Sequence, residues 1–214
     1  MDDYIAKMQE MLSEGYSKEE VAENLYLNYH SVTNTDEVYK IRKRIALSYG
    51  CNLNDVKLIG SSHTGYTYKD GQLRKQTSPR DYDFAIISAD TFVKYFHMIK
   101  YDQIRDNDKR MYVRHFTEGK IHPRYADADF RKALENINQK IMQDLNVKRH
   151  ISVCFYISEK AFINGLVKYN NNLYAGELKR FKGQKIDDGE SRLTSEIGKL
   201  IDMANIKMID RMED

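Results

Sequence analysis

Two aspartates flank a single tyrosine at the start of an apolar segment. Asp81 and Asp83 open the stretch DYDFAII (81–87), whose later residues are typical of a buried β-strand. Residues i and i+2 of a strand point to the same side of the sheet, so the two carboxylates are expected side by side. Two carboxylates so close repel each other, and a shared divalent cation such as Mg²⁺ would remove the repulsion. The spacing therefore predicts a metal site at the start of this strand.

A second candidate feature lies upstream, in LIGSS (58–62), where a short apolar segment ends in glycine and serine. Gly60 has no Cβ, so a phosphate group can approach its backbone closely. The Ser61 hydroxyl and the amides that follow it can donate hydrogen bonds to the same phosphate. We expect this corner to bind the phosphates of a ligand that the aspartates hold through a metal.

Together these features resemble the signature of the DNA polymerase β-like nucleotidyltransferase superfamily: apolar–Gly–Ser, a polar loop, then Asp–apolar–Asp–apolar. The segments KLIGSSHTGYTYKDG and SPRDYDFAII look like the branch that contains bacterial cyclic-oligonucleotide synthases. The resemblance implies a bound nucleoside triphosphate with Mg²⁺ or Mn²⁺, and Asp81 and Asp83 as metal ligands and catalytic residues. It also implies nucleotide contacts from the corner and the loop, and the residues expected to make them are Gly60, Ser61, Ser62, Thr64, Arg74, Lys75 and Arg80.

One part of the signature has no clear counterpart. Active members of the superfamily place a third carboxylate on a later core strand, but the best candidate, HISVCFYI (150–157), contains none. Glu118, Asp127 and Asp129 are the possible substitutes. Two functions therefore stay open. One is the metal-dependent transfer of a nucleotidyl group from a nucleoside triphosphate to a hydroxyl acceptor. The other is an inactive protein of this fold that binds a nucleotide or nucleic acid as a regulator.

Two basic segments can supply the positive charge that a triphosphate needs. Residues 62–80 are expected to form a polar loop beside the aspartates, with aromatic rings able to stack on a base. The stretch KRMYVRHFTEGKIHPR (109–124) is expected to line the opposite wall through Lys120, His122 and Arg124. The alternative for both segments is an ordinary solvated surface.

The elements predicted around these residues run in the order helices, strand, strand, helix, helix, strand, helices. This order indicates an α+β fold in which a mixed, nucleotidyltransferase-like sheet is flanked by helices. Asp90 is expected to cap the helix after the second strand, and MYVRHF (111–116) is a possible short strand. The domains are predicted as an N-terminal helical segment (1–50), a core (51–175) and a C-terminal helical segment (176–214) that includes a long helix over 193–212.

The N-terminal segment allows two interpretations. Residues 15–45 resemble a helix-turn-helix, with a capped helix from Lys18 and a second helix that starts near Tyr29. Its base-reading side chains would be those of Asn28, His30, Ser31 and Asn34. The alternative is a helical cap that packs on the core.

Composition and net charge indicate more about where the protein is located than about its function. A formal net charge of +2 gives no global electrostatic argument for or against nucleic acid. The acidic, amphipathic N-terminus is unlike a secretion signal, and no apolar stretch approaches the roughly 18 residues of a membrane span. The two cysteines lie far apart in the sequence. These features predict a cytoplasmic protein with free thiols and no membrane partner, and they leave the oligomeric state open.

Overall fold

A computed structural model of the 214-residue chain describes residues 3–29, 35–69, 72–76 and 81–183. The chain divides into two compact units, residues 1–177 and 178–214. The sheet and the pocket described below belong to the first unit.

The described part of the chain forms eight helices and six strands, which confirms the α+β class. The helices are α1 (Tyr4–Ser13), α2 (Lys18–Asn28), α3 (Thr35–Tyr49), α4 (Ser61–Thr64), α5 (Ala89–Phe96), α6 (Asp106–Thr117), α7 (Ala128–Leu145) and α8 (Glu159–Gly183). The strands are β1 (Val56–Ile59), β2 (Tyr66–Lys69), β3 (Gln72–Lys75), β4 (Asp81–Ile87), β5 (Lys120–Ile121) and β6 (His150–Tyr156). None of the helices in the described ranges is long and apolar enough to cross a membrane.

The main sheet is mixed and has the strand order β1-β4-β6-β5. Strand β4 is antiparallel to β1 and parallel to β6, and β5 is antiparallel to β6. Side chains alternate along the two central strands, so one face of each is apolar. That face carries Tyr82, Phe84, Ile86, Ile151, Val153 and Phe155, all of them buried. Asp81 and Asp83 of β4 therefore belong to the other face.

Helices α3, α5 and α7 cover the apolar face and complete the main core. Their buried contributions are Ile41, Ile45 and Tyr49 from α3, Phe92 and Tyr95 from α5, and Phe130, Leu134 and Ile141 from α7. The basic side chain of Arg42 also serves this packing, because its Nε donates to the Val56 carbonyl at 2.8 Å. Helix α3 is thus part of the core.

A second apolar cluster joins α1, α2 and α8 to the hairpin formed by β2 and β3. Its buried members are Tyr4, Ile5, Met8, Met11, Val21, Leu25, Tyr66 and Leu173. The hairpin lies within the segment 62–80, so the prediction of a polar loop was wrong there. Tyr66 is 6% exposed, and Tyr68 and Leu73 pack against the same cluster. Apolar burial of these side chains outweighs the polar composition of the segment.

Three local expectations have clear outcomes. The cap expected for the helix from Lys18 is confirmed: the Ser17 and Glu20 side chains form a capping box, in which each accepts a hydrogen bond from the other residue's backbone. Asp90 does not cap α5; the Ser88 hydroxyl accepts the hydrogen bond from Thr91 N at 3.2 Å. The stretch MYVRHF is part of α6 and not a strand, because helical spacing brings Tyr112 and Phe116 to one face.

The helix-turn-helix interpretation places the start of a second helix near Tyr29, and most of that helix falls on residues outside the described ranges. Tyr29 has an extended backbone (ψ 125°) at the end of α2, and the next described helix begins at Thr35. Three of the predicted base-reading residues, His30, Ser31 and Asn34, lie outside the described residues, as does the C-terminal helix predicted over 193–212.

Candidate functional site

The glycine–serine corner and the second aspartate meet, as the sequence predicted. Asp83 is paired with Ile59 on β1, so Gly60, the next residue, lies beside the aspartate. Gly60 has φ 64° and ψ −152°, a backbone conformation that is nearly restricted to glycine. A Cβ at this position would lie 3.1 Å from Asp83 Oδ2. The absence of a side chain at Gly60 therefore leaves room for the carboxylate and keeps the corner open.

The two aspartates differ in exposure. Asp81 is exposed at the start of β4, whereas Asp83 is partly buried two residues further along the same face. Burial raises the pKa of Asp83, and the charge of Asp81 adds to the increase, while the Ser152 hydroxyl, His150 and Lys120 act against it. A cation at this position would offset both causes of the increase.

Asp83 opens into a pocket of about 410 Å³. One wall is formed by Ile59, Gly60 and Asp83, and the middle by His150, Ser152 and Cys154 on β6. The opposite wall carries the positive charge, and its members are Lys120, His122, Arg124 and Arg131. The sequence predicted the first three of these four residues on the opposite wall, and the structure places them there.

The cations of this wall lie beyond ion-pair distance of the carboxylates in the described part of the chain, although Lys120 interacts electrostatically with Asp83 and Glu118. Lys120, Arg124 and Arg131 form no ion pair there. Burial alone would lower the pKa of Lys120, but its neighbours Cys154 and Tyr156 contribute to a net increase, so the ammonium group stays charged. Unpaired positive charge in a pocket attracts anions.

His122 adds a neutral ring to the cationic wall. Burial and the nearby charge of Lys120 lower the pKa of His122 to about 3. Its ring lies 5.4 Å from that of Tyr125 and 5.8 Å from that of His115, measured between centroids. The imidazole is therefore uncharged at neutral pH, and the positive charge of the wall comes from the lysine and the arginines.

Two of the predicted nucleotide-binding residues, Ser62 and Thr64, stabilise the backbone around the glycine–serine corner through hydrogen bonds. Ser62 Oγ donates to the Ile59 carbonyl at 2.8 Å, and Thr64 Oγ1 accepts from Tyr66 N at 3.1 Å. Both side chains are buried and neither lines the pocket. Ser61 is partly exposed at the first position of α4, and its phosphate contact stays a prediction.

Arg74 and Lys75, two of the predicted cations of the segment 62–80, do not line this pocket. Arg74 Nη2 donates to Gln72 Oε1 at 2.9 Å, and Lys75 Nζ lies 2.7 Å from Asp3 Oδ2 at the start of α1. Arg80 lies outside the described residues. The positive wall of the pocket comes instead from residues 120–131.

The proposed substitutes for a third carboxylate all have other partners. Glu118 Oε1 lies 2.7 Å from Lys168 Nζ. Asp127 caps α7 and accepts from Lys100 N at 3.0 Å, and Asp129 Oδ2 lies 2.9 Å from Lys100 Nζ. None of the three lines the pocket, so none can join the aspartates there.

Ser152 occupies the place beside Asp83 on the neighbouring strand. The two residues are in register on parallel strands, and Ser152 Oγ donates to Asp83 Oδ1 at 2.5 Å. Over the described ranges, no three His, Cys, Asp or Glu side chains group together in a way that could hold a metal ion. A cation bound here would depend on two carboxylates, on water and on oxygens of its ligand.

Sequence reasoning missed two charged residues of the pocket, Arg131 and Glu135. Both lie on α7, and their spacing of four residues indicates a shared helix face. Nothing in the local sequence shows that this face meets the edge of β6.

The fold and the pocket define an α+β protein in which Asp83 lies in a pocket with a cationic wall. Asp81 shares the face of Asp83 on β4 but does not line the pocket. Comparison of the chain with known protein families, with curated proteins and with solved structures gives no match.

Proposed function

We propose that the protein is a nucleotidyltransferase that uses Mg²⁺ or Mn²⁺ to transfer a nucleotidyl group from a nucleoside triphosphate to a hydroxyl acceptor. The observation that supports this most directly is the contact of Gly60 with Asp83 at the mouth of a pocket whose far wall carries unpaired cations. A phosphate chain needs such surroundings: a backbone it can approach, a cation site and further positive charge.

The carboxylates present fit one hard cation. Mg²⁺ is commonly held by one or two carboxylates, with water and substrate phosphate completing its shell. Asp81 and Asp83 share a face, and the raised pKa of Asp83 is the effect that a bound cation would reverse. When bound, the cation would polarise the phosphoryl oxygens and neutralise part of their charge.

The remaining groups act on the phosphates and on the aspartate. Gly60 allows close approach of a phosphate, Lys120 offers positive charge near Asp83, and Ser152 fixes one oxygen of the Asp83 carboxylate. In the reaction, the acceptor hydroxyl oxygen bonds to the α-phosphorus while the bond from that phosphorus to the bridging oxygen of the β-phosphate breaks. Pyrophosphate leaves, and the hydroxyl proton passes to water.

A second candidate function is nucleotide binding without chemistry. The serine at position 152 favours it, because a neutral hydroxyl is a weaker metal ligand than a carboxylate and a poorer acceptor for the proton of the attacking group. Such a protein would sense or sequester a nucleotide. Nucleic acid stays a predicted partner of either function.

One experiment separates these functions. The full chain is incubated with each labelled nucleoside triphosphate and Mg²⁺ or Mn²⁺, and both pyrophosphate release and binding are measured. The test variant is Asp81→Asn/Asp83→Asn. The matched control is Asp129→Asn, which removes an exposed carboxylate paired with Lys100 outside the pocket.

Pyrophosphate release by the wild type that is lost in the double variant and kept in the control supports nucleotidyl transfer. Binding that needs both aspartates, without release by the wild type, supports the second function. Failure to bind any nucleoside triphosphate with metal contradicts both.

A further inference from the structure

The pocket contains one protein hydroxyl among the described residues that line it, that of Ser152. No other serine, threonine or tyrosine in the described ranges lines the pocket. Ser152 is partly exposed, whereas the thiol-bearing residue two positions further along the same face of β6, Cys154, is buried. A ligand in the pocket would therefore meet a single accessible protein nucleophile of this kind.

The Ser152 hydroxyl is held by the carboxylate that the proposed function assigns to the cation. Ser152 and Asp83 are in register on the parallel strands β6 and β4, and Ser152 Oγ donates to Asp83 Oδ1 at 2.5 Å. The other carboxylate oxygen, Oδ2, faces Gly60, where a Cβ would lie 3.1 Å from it. A hydroxyl within hydrogen-bond reach of a base that other groups hold in place is the arrangement by which protein nucleophiles are activated.

The same contact fixes where the hydroxyl lies relative to a bound nucleotide. Phosphate oxygens of the nucleotide would share the coordination shell of a cation held by Asp83. Ser152 Oγ is one hydrogen bond away from that shell. A hydroxyl that belongs to the protein needs no binding step of its own, and well-oriented groups of this kind reach effective concentrations of about 10⁵ M or more.

We propose that Ser152 is itself an acceptor, so that the protein transfers a nucleotidyl group to its own side chain. This inference rests on the proposed function, because it uses that reaction. The Ser152 oxygen bonds to the α-phosphorus, the bond from that phosphorus to the bridging oxygen of the β-phosphate breaks, and pyrophosphate leaves. The hydroxyl proton passes to the Asp83 carboxylate and from there to water. The product is a phosphodiester between Ser152 and the nucleoside.

Self-modification at this position would switch the site off. A nucleotidyl group on Ser152 would occupy the pocket and cover Asp83, which accepts the hydrogen bond from the unmodified hydroxyl. The modified chain could not bind a second nucleoside triphosphate there. The reaction therefore stops after one nucleotidyl group for each chain.

The test is intact-mass spectrometry of the full chain after incubation with each nucleoside triphosphate and Mn²⁺. We expect the wild type to gain the mass of one nucleotidyl group, and fragmentation of its peptides to place that group on Ser152. Ser152→Ala should gain no mass, whereas Ser152→Thr, which keeps a hydroxyl, should still be modified. The matched control Ser48→Ala removes an exposed hydroxyl on α3 outside the pocket and should be modified like the wild type.

Ser152→Ala also removes a hydrogen bond to Asp83, so the binding of ATP with Mn²⁺ to this variant is measured as well. Loss of modification with binding as tight as that of the wild type supports the role of Ser152 as acceptor. Modification of Ser152→Ala to the same extent as the wild type overturns the inference, as does a nucleotidyl group found on another residue.

The inference and the proposed function fail in different ways. Pyrophosphate release by the wild type without any gain in mass overturns the inference alone, because the acceptor then lies outside the protein. A wild type that neither releases pyrophosphate nor binds any nucleoside triphosphate with metal contradicts the proposed function, and the inference with it.

Discussion

Replacing Gly60 with alanine tests the central contact of the site. The backbone at Gly60 (φ 64°, ψ −152°) costs a residue with a side chain about 1–3 kcal/mol. The new Cβ would also lie 3.1 Å from Asp83 Oδ2, so the carboxylate must move by a few tenths of an ångström. That movement strains the hydrogen bond from Ser152 Oγ to Asp83 Oδ1. We therefore expect both lower stability and weaker binding of Mn²⁺ with ATP, by roughly tenfold, since small misplacements in a site are costly.

The measurements are the free energy of unfolding in urea and the dissociation constant for ATP in Mn²⁺. Gly15→Ala is the matched control, because Gly15 also has a positive φ (92°) but a Cβ there would meet nothing within 4 Å. The free energy of unfolding of this control should be lower than that of the wild type by about 1–2 kcal/mol, because of backbone strain alone. Its affinity for ATP should not change.

One result refutes the reasoning. If Gly60→Ala is folded and binds Mn²⁺ with ATP as tightly as the wild type, the corner and Asp83 do not share a ligand. A loss of affinity in Gly15→Ala of the same size would show that lower stability, and not the contact with Asp83, weakens binding.

Two further predictions concern stability. Burial lowers the pKa of His63 to about 4, from 6.5 in the unfolded chain, so only the unfolded state gains this proton as the pH falls from 6.5 to 4. The free energy of unfolding should fall by about 3 kcal/mol between pH 6.5 and pH 4, and above pH 6.5 the protonation of His63 should have no effect on it. Urea unfolding at several pH values measures this, and the free energy of unfolding should depend less steeply on pH in His63→Phe. Gly176→Ala places a Cβ 2.6 Å from Tyr68 Cδ2 where the hairpin packs on α8. The cost of overpacking, about 1–3 kcal/mol, should exceed the gain of about 1 kcal/mol from the higher helix propensity of alanine, so the variant should be less stable than the wild type. A higher urea midpoint in the variant would contradict this prediction.

Local patterns in the sequence were enough to select Gly60 and Asp83, which the structure places together at the pocket. Asp81 and Asp83 precede an alternating apolar segment, and the segment before Gly60 ends in a turn that a glycine permits. Both features depend on residues within one strand and its end. The antiparallel register of Ile59 with Asp83 brings the two features together.

The hairpin shows where local composition misleads. The rings of Tyr66 and Tyr68 were expected either to stack on a base or to belong to a solvated surface, but they pack against α1 and α8, which are distant in sequence. The sequence did contain a hairpin signal, since Asp70-Gly71 separates two short segments of strand-forming residues. Burial against a distant helix decides between these interpretations, and no window of neighbouring residues contains that information.

The place of Arg131 in the pocket could not be predicted for the same reason, although Arg124 was predicted there. Arg124 follows a strand of two residues, and Arg131 lies on a helix that packs on the opposite face of the sheet from Asp83. Only the short length of β5, which leaves the edge of β6 open, allows one pocket to reach both.

The charge around Asp83 bears on the choice between the two proposed functions. Asp81 and Asp83 supply two negative charges, and the residue beside them on β6 is the neutral Ser152. Two carboxylates balance one divalent cation, whereas a second cation would need the further charge that a third carboxylate provides. Lys120 partly replaces that second cation, because its charged ammonium group lines the same pocket and acts on Asp83. Such a site can anchor a nucleotide through one cation, and any chemistry it performs must draw on Lys120 for the charge that develops on the leaving pyrophosphate.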